Sequence, residues 1–298
     1  MKKKINTAEE FDFLSAQKNS QLRDVTRRLF KNKAAIAGLI FLVLLILTAI
    51  FASVIFDYEA QCINQNISQR LQWPSVEHIF GTDEYGRDLL VRIVFGSRVS
   101  LSIGFIAVAF GLALGGMLGA VAGFFGGKID NLIMRICDVF LAVPMMLMAI
   151  VIVAALGSSI VNLIIALSIS SVPTFARIVR SAVLTVRDVD YVEAARSIGV
   201  KTPRILFRYI LPNSMGPIIV QTTLRIAATI SNTAALSFLG LGIKAPQPEW
   251  GALLSSGREF IRDYSYLACI PGICIMLTIL ALNLLGDGLR DALDPRLK

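Results

Sequence analysis

Long stretches without charged side chains limit the fold of this chain more than any other feature. They are Ala34 to Phe56, Val99 to Gly127, Val139 to Ala176, Asn213 to Ile243, which Arg225 alone interrupts, and Tyr264 to Gly286. A helix needs about 20 apolar residues to cross the ~30 Å hydrocarbon core of a bilayer. Four stretches therefore supply one crossing each, and the 38 residues from Val139 to Ala176 supply a hairpin joined at Gly157 to Ser159. We predict an all-α integral membrane protein with six transmembrane helices.

Composition argues against a soluble protein. Only 17% of the residues are charged and 55% are hydrophobic, which leaves too few charges to cover the surface of a soluble domain. The net charge of +8 does not indicate a nucleic-acid partner, because the basic residues flank the apolar stretches instead of forming one basic face. The lipid bilayer is the expected surrounding.

Charge placement predicts the orientation. Nine Lys and Arg residues precede the first apolar stretch, and basic residues favour the cytoplasmic side. The N-terminus is therefore predicted to be cytoplasmic, without a cleaved signal, and six crossings return the C-terminus to the same side. The segment 177–212 falls inside with seven basic residues, whereas the loop 57–98 falls outside with six acidic and four basic residues.

This topology divides the chain into a cytoplasmic N-terminal segment, residues 1–33, and a six-helix transmembrane domain, residues 34–298. Within the first segment, apolar residues share one face of a helix over about 21–33, with basic residues opposite: Leu22, Val25, Leu29 and Phe30. That pattern is typical of a helix lying on the inner membrane surface. A solvated basic lead-in is the alternative.

Glycine recurs at every fourth position of the second stretch, at Gly111, Gly115, Gly119, Gly123 and Gly127. Such a stripe leaves one helix face without side chains and lets another helix approach closely. We interpret it as a helix-packing seam, and a bare face that lines a gap is the alternative.

The segment before the fifth stretch carries the signals of a short helix from Tyr191 to Ile198. Asp190 and Glu193 have the spacing of a capping box. Gly199 can adopt the left-handed conformation that ends a helix.

A second short helix is predicted directly after the first. Thr202 caps it, Pro203 takes its favoured first position, and Pro212 marks the next break. In the first helix, Ala194 and Ala195 are small, so a partner protein would fit closely against that face.

At this spacing Glu193-Ala194-Ala195, Gly199 and Leu211-Pro212 resemble the EAA loop of ATP-binding-cassette (ABC) importer permeases. The sequence departs from the family at Tyr209, where members have Ile two residues before Leu-Pro. In that family the loop docks into a groove on the ATPase subunit and transmits its opening and closing. The resemblance implies a coupling role for seven residues: Asp190, Glu193, Ala194, Ala195, Gly199, Leu211 and Pro212.

Four further segments resemble the dipeptide, oligopeptide and nickel importer permeases, and the second ("C-type") permease of such importers in particular. They are His78 to Asp88, Ala176 to Arg180, Leu236 to Gly242 and Asn283 to Pro295. The similarity runs from about residue 25 to the end. Thr233 stands where members often carry Glu, so a role for that acid is not carried over.

The resemblance implies a permease that pairs with a second, homologous permease to form a translocation pathway in the inner or plasma membrane of a bacterium or archaeon. Two ATP-binding subunits would hold ATP and Mg and grip the coupling loops. An extracytoplasmic binding protein would deliver the solute, and this chain itself would hold no cofactor. The family implies short peptides as cargo, with nickel or nickel chelates second.

Arg225 lies twelve residues beyond Asn213, about 18 Å along a helix at ~1.5 Å per residue. That depth is near the middle of the bilayer, where a cation costs at least ~2.5 kcal/mol unless it faces water or a partner. We expect Arg225 to face the translocation pathway, and a structural ion pair or carbonyl contact is the alternative.

The sequence offers no catalytic or metal-binding set. The closest match to a phosphate-binding loop, Gly127-Lys128, is followed by Ile129 and has Ala122 in place of the first glycine. The single histidine makes a poor metal site. The four cysteines form no CxxC pair and are interpreted as packing residues, without a disulfide framework or a metal site: Cys62, Cys137, Cys269 and Cys274.

A self-sufficient transporter driven by an ion gradient is the main alternative function. Such proteins often carry acidic residues within their helices and internal repeats, whereas the apolar stretches here contain no acid and show no clear repeat. A purely structural membrane partner is the second alternative. Polar positions within the spans count against it: Asn162, Arg225, Asn232 and Asn283.

Overall fold

A computed structural model describes residues 25–293 of the chain, and within that range regular structure is helical, with one isolated β-bridge between Thr82 and Asp88. In chain order the α-helices are α1 (Lys33–Ile55), α2 (Leu89–Phe125), α3 (Gly127–Leu141), α4 (Met145–Leu156), α5 (Ile160–Arg187), α6 (Asp190–Ser197), α7 (Thr202–Ile205), α8 (Met215–Phe238), α9 (Trp250–Gly257) and α10 (Tyr266–Leu293). Residues 25–29 are also helical. Shorter 3-10 and π-helical turns lie at Tyr58–Ile63, Ile67–Gln69, Leu206–Ile210, Leu211–Ser214 and Arg258–Phe260.

Four helices of the described range are long and apolar enough to cross a membrane, namely α1, α2, α5 and α10. A fifth crossing is available if α3 and α4, which are bent by 81°, count as one span. Pro144 explains the bend, because it lacks an amide hydrogen and disfavours helical backbone at the residue before it. α8 is 24 residues long, but its Arg225 and its many hydroxyl and amide side chains leave it outside this group.

The predicted hairpin from Val139 to Ala176 is right in one arm only. α4 and α5 meet at Gly157–Ser159, where Gly157 has φ +88° and the Ser159 hydroxyl caps α5. The other arm is not a straight helix beginning at Val139. It starts at Gly127 and breaks after Leu141.

Glycine contacts show the direction in which the helices run. Gly111 of α2 lies against Ser171 of α5, and Gly123 lies against Val183, so α2 and α5 run in the same direction. The chain between them must return once along the bundle, and α3 and α4 together make that return. α1 and α10 run in opposite directions, because Gly38 meets Ala281 while Ala35 meets Gly288.

The α2–α5 contact is close enough to exclude side chains. A Cβ atom would lie 2.4 Å from a Val172 oxygen at Gly115 and 2.2 Å from the Ala176 oxygen at Gly119. At Gly111 and Gly123 it would lie 1.9 Å and 2.9 Å from side-chain atoms of α5. The backbones of the two helices therefore touch along this seam.

Gly127 does not belong to the seam. It follows the end of α2, has φ +56°, and has nothing within 4 Å of the place of a Cβ. The four-residue spacing continues there in the sequence, but α2 ends at Phe125 and the chain turns at Gly126, which has φ +64°.

α2 begins at Leu89, well before the apolar stretch at Val99. The loop predicted over 57–98 therefore ends at Asp88, and its residues 89–98 belong to α2. The uncharged stretch begins only after Arg98, although Arg98 itself lies within α2. Its side chain donates to the Ile50 oxygen at 2.8 Å and to the Ser53 hydroxyl at 2.7 Å in α1. These hydrogen bonds to α1 give the charged side chain partners within the bundle.

The segment from Asp57 to Asp88, hereafter the 57–88 loop, folds against the ends of α2 and α10. The buried Asp83 lies 2.6 Å from Nε of Arg87. The Tyr266 hydroxyl lies 2.8 Å from the carbonyl oxygens of Gln72 and Thr82. Burial raises the pKa of the Cys62 thiol to about 11.

Glu249 holds three helices together beside the 57–88 loop. Its carboxylate is 1% exposed and accepts from the hydroxyls of Ser100 in α2 at 3.0 Å and Ser237 in α8 at 2.8 Å. The backbone amides of Gly251 and Ala252 donate to it at 2.9 and 2.8 Å. Four donors compensate for the loss of water around the charge.

Ion pairs fix α3 to α5 at the opposite end of the bundle. Asp130 forms a two-pronged pair with Arg180, whose Nη2 lies 2.5 Å from Oδ2. Asp138 lies 2.7 Å from Arg177, but both side chains are more than half exposed, so this pair contributes little. The less exposed pair of Asp130 and Arg180 is therefore the stronger clamp.

The N-terminal segment joins α1 through a turn. The helix over residues 25–29 ends before Phe30, and Asn32 caps α1 by accepting from the amides of Ala34 and Ala35, both at 3.1 Å. The predicted interfacial helix therefore does not continue to residue 33. Leu22 and the rest of residues 1–24 lie outside the described residues.

Gly119→Ala is expected to lower the melting temperature of the purified protein. The new methyl group would overlap the backbone of α5, and overpacking costs about 1–3 kcal/mol. Gly116→Ala is the matched control, because its Cβ would find its nearest neighbour at 3.7 Å and alanine favours helix by up to about 1 kcal/mol. Equal melting temperatures for the two variants would contradict the packing seam.

Glu249→Ala is also expected to lower the melting temperature, because it leaves buried donors without an acceptor at about 1–3 kcal/mol each. Glu249→Gln should have an intermediate effect, since it keeps one acceptor oxygen. Glu259→Gln, at an exposed position, is the control. A Glu249→Gln variant as stable as the parent protein would argue against the hydrogen-bonded role of the carboxylate.

Candidate functional site

α6 lies where the sequence predicts the first short helix, but it starts differently. The N-cap residue is Val189, which has no capping side chain, and Asp190 is the first helical residue. The capping box is therefore not formed. Asp190 and Glu193 both lie in the first turn, where negative charge is favourable next to the positive end of the helix dipole.

The turn between α5 and α6 is held by Arg187. Its Nη1 donates to the Gly123 oxygen of α2 at 3.0 Å, and its Nε donates to Asp188 at 3.1 Å. This hydrogen bond holds the pKa of the Asp188 carboxyl below its usual range. Arg187 thus ties the start of the loop to the end of the α2–α5 seam.

Gly199 ends α6 in the left-handed conformation, with φ +80°. Its amide donates to the Arg196 oxygen at 3.0 Å, and the Val200 amide donates to the Ala195 oxygen at 3.1 Å. These two bonds form a Schellman motif, which satisfies the last carbonyls of the helix. No atom lies within 4 Å of a Cβ built at Gly199, so the backbone angle is what favours glycine there.

The two alanines of the EAA segment face different ways. Glu193 and Ala194 are exposed, whereas Ala195 is 4% exposed and faces the interior with Val192. The expectation that both alanines keep the outer face low is therefore wrong for Ala195. Consecutive helical residues are about 100° apart, and the buried pair has the i, i+3 spacing of one helix face.

The second short helix is not a separate element. α7 begins at Thr202 with Lys201 as N-cap and Pro203 in its first turn, and the chain then stays helical through π and 3-10 turns into α8. Pro212 lies in the 3-10 turn, so it changes the type of helix there and does not break the chain. Pro212 is exposed, whereas Leu211 is partly buried.

A buried cluster joins α6 to the long helices. Val192 and Ala195 of α6 pack with Ile205 and Ile210, and the same cluster includes residues of α2, α5 and α8: Ala120, Val179, Ala182, Val183 and Ile218. The Arg196 guanidinium also lies over the Phe124 ring of α2, 5.4 Å from its centroid. α6 is therefore fixed to the bundle through one continuous apolar contact.

Three large side chains of this segment are exposed and are not among the residues that the EAA resemblance marks. Ile198 is 79% exposed and Phe207 is 66% exposed, and Tyr191 is also exposed. Apolar residues on a charged segment are the signal that points to them. They are exposed on the same segment of the chain as Glu193 and Ala194.

Arg225 lies near the middle of α8 and faces the break between α3 and α4. Its Nη1 lies 3.3 Å from the Sδ of Met145, the first residue of α4, and its Nε is buried without a hydrogen-bond partner. Asn232 also points at this sulfur, with Nδ2 at 3.9 Å. Asn232 follows Arg225 by seven residues, so both lie on one face of α8. This spacing is the feature of the sequence that could have identified Asn232.

The two candidate sites are joined by one helical segment. Pro212 and Arg225 are thirteen residues apart in the continuous segment from Thr202 to Phe238, or about 20 Å at ~1.5 Å per residue. Thr233, which lies farther along α8, is buried and donates to the Thr229 oxygen at 2.9 Å within the same helix.

Comparison with known proteins identifies the family. The family described as "binding-protein-dependent transport system inner membrane component" matches residues 115–298, and the "N-terminal TM domain of oligopeptide transport permease C" matches residues 20–74. The first match contains α6, Gly199 and Arg225.

Relatives match along almost the whole chain. The dipeptide transport system permease protein DppC of Alkalihalophilus pseudofirmus is 50% identical over 94% of this chain and 91% of that protein. The glutathione transport system permease protein GsiD of Pectobacterium atrosepticum is 45% identical over 93% and 91%. The di/tripeptide transport system permease protein DppC of Pseudomonas aeruginosa is 43% identical over 94% and 93%.

Solved structures share the fold. The inward-facing MetNI methionine ABC transporter has a TM-score of 0.57 at 17% identity, covering 68% of this chain and 96% of the matched chain. An amino acid ABC transporter has a TM-score of 0.51 at 20% identity, covering 67% and 92%. With the family match and the identity to DppC, these findings show that the chain belongs to the inner membrane permeases of binding-protein-dependent ABC importers.

Proposed function

We propose that this chain forms half of the translocation pathway of an ATP-driven importer of short peptides. The observation that carries the cargo class is the 50% identity to a dipeptide permease along 94% of the chain. Relatives named for di/tripeptide and glutathione transport also support it. Nickel or a nickel chelate ranks second, because the sequence resemblance includes nickel importers.

The proposed topology has six crossings: α1, α2, the bent pair α3–α4, α5, α8 and α10. α8 counts as a crossing because Gly104 of α2 meets Ile230 while Ser100 and Ser237 share Glu249, so α8 runs against α2 along its length. The basic N-terminal segment supports a cytoplasmic position for both termini. The 57–88 loop then lies outside, and α6 lies inside.

This topology keeps the domain organisation that the sequence predicts. Residues 1–33 form the cytoplasmic N-terminal segment, and residues 34–298 form the six-helix permease domain. The external region is 57–98, with its last ten residues in α2, and the cytoplasmic coupling loop is 177–212, with its first residues in α5.

The coupling surface consists of the exposed part of the EAA loop. Asp190, Glu193, Ala194, Gly199 and Pro212 are exposed and would contact the ATPase. Ala195 and Leu211 would act from beneath, by fixing α6 to the long helices. When the ATPases close on ATP and Mg, motion of α6 would pass through the buried cluster to α2, α5 and α8.

The complete machine would comprise this permease, a second homologous permease, two ATP-binding subunits and an extracytoplasmic binding protein. The family is one of permease subunits and not of enzymes, so ATP hydrolysis would belong to the partners. Arg225 would face the pathway between the two permeases in the inner membrane of a bacterium or archaeon.

The first experiment is a gentle purification of the tagged chain from its native membranes, with identification of the proteins that co-purify. A second permease and one or two ATPases are expected, and the reconstituted assembly should take up short peptides only with ATP and the binding protein. A chain that purifies alone and transports without ATP would refute the proposal.

Gly199→Val is expected to reduce peptide uptake at least about tenfold while ATP hydrolysis by the assembled complex continues. Valine strains the left-handed backbone by about 1–2 kcal/mol and so displaces the end of α6. Gly199→Asn should retain more uptake, because asparagine tolerates this conformation.

Gly240→Val is the matched control for backbone strain. Gly240 also has a left-handed φ, of +79°, ends α8 with the same pair of hydrogen bonds, and has nothing within 4 Å of a Cβ. It lies at the other end of α8 from the coupling loop. If both variants hydrolyse ATP and lose uptake equally, the effect is general strain and the coupling role of Gly199 is wrong.

A further inference from the structure

Arg225 is the one charged residue of α8, and the described residues give its guanidinium no acid. The ion pairs of residues 25–293 do not include it. A guanidinium carries five N–H donors, yet Nη1 contacts only the Met145 thioether and the buried Nε contacts no acceptor. A thioether is a weak acceptor, so Nη1 is weakly satisfied and Nε has no partner among the described residues.

The surroundings of Arg225 are rich in donors and positive potential. Asn232 points its amide nitrogen at the same sulfur. α4 begins at Met145 after the extended Pro144 and has no side-chain N-cap, so the positive end of its helix dipole lies there too. A bend of 81° between α3 and α4 leaves the exposed residues 142–144 beside these groups.

We propose that Arg225 and Asn232, next to the start of α4, bind a carboxylate of the transported peptide, with the flexible Met145 side chain occupying this place when no cargo is bound. The inference rests on the proposed function, in which Arg225 faces the pathway. A carboxylate accepts two parallel hydrogen bonds from a guanidinium, and each unblocked peptide carries one at its C-terminus. The cargo thereby supplies the counter-charge that α8 lacks.

This site also discriminates between cargo classes. A bare divalent cation would be repelled by Arg225 and by the dipole of α4, whereas a peptide or another carboxylate-bearing solute would be attracted. The competing arrangement is a carboxylate from the second permease that pairs permanently with Arg225. That arrangement would neutralise the charge and leave no site for an anion.

The test replaces Met145 with cysteine in a chain whose four native cysteines are changed to serine or alanine, studied in the assembled importer without the binding protein. The thiol is reacted with an anionic sulfonatoethyl and a cationic trimethylammonioethyl methanethiosulfonate. Relative to free cysteine, the anionic reagent should be favoured at least about tenfold, as expected for a unit charge at contact distance. The cysteine-free chain with Met145 retained measures background labelling.

Two comparisons assign that preference. Arg225→Gln in the same background should abolish it, and Arg225→Lys should keep most of it. A dipeptide at millimolar concentration should slow the anionic reagent, whereas its C-terminal amide should not. The proposal would be overturned if the preference survives Arg225→Gln, or if the amide protects as well as the dipeptide. It would also be overturned if the assembly shows no preference at all, which would indicate an acidic residue of the second permease paired with Arg225.

Uptake separates failure of this site from failure of the proposed function. If the parent assembly shows no ATP-dependent peptide uptake, the proposed function is wrong. If the parent transports and an Arg225→Gln assembly of normal subunit composition transports equally well, only the carboxylate site is wrong. The expected result is a loss of at least about tenfold with glutamine and partial retention with lysine. If Arg225→Gln does not assemble, the comparison of the dipeptide with its C-terminal amide on Met145→Cys with Arg225 intact still decides.

Discussion

Backbone contact between α2 and α5 is the constraint on which the rest of the structure depends. Helices in lipid gain little from hiding apolar surface, because the lipid tails are equally apolar, so close van der Waals contact must hold them together. The glycines from Gly111 to Gly123 allow that contact between two helices that run in the same direction. The chain between them is then forced to return once, which it does through the bent α3–α4 pair, clamped by Asp130 and Arg180.

The same seam supports the coupling loop. Arg187 extends it by binding the Gly123 oxygen, and the cluster beneath α6 includes Ala120 of α2 and Val183 of α5. Because α6 also packs on Ile205 and Ile210, which continue into α8, it cannot shift alone without opening a packed core. α6 is therefore packed against three long helices at once, which supports the proposed transmission of its motion to α2, α5 and α8.

Features governed by local sequence were predictable, and features created by distant contacts were not. Apolar runs located α1 and α10, and the left-handed potential of Gly199 correctly placed the end of α6. The role of Glu249 depends on Ser100, which is 149 residues away in the sequence, and no local pattern reveals such a partner. The prediction that Ala195 lies on the outer face is wrong, because the size of a side chain does not show which face of the helix it occupies. The prediction that Gly127 belongs to the packing seam is wrong, because the four-residue spacing of glycines continues beyond the end of α2.

Glu249 and Arg225 are charged side chains that differ in how many hydrogen-bond partners the fold gives them. Both interrupt an apolar environment, and either charge would be costly alone. Glu249 is met by four donors from its own chain, so its burial is explained by the fold and needs nothing from outside. Arg225 is met by a thioether and has a buried Nε without an acceptor. Among the described residues the Nε of this guanidinium has no acceptor, and this difference from Glu249 is the observation behind the proposed carboxylate site.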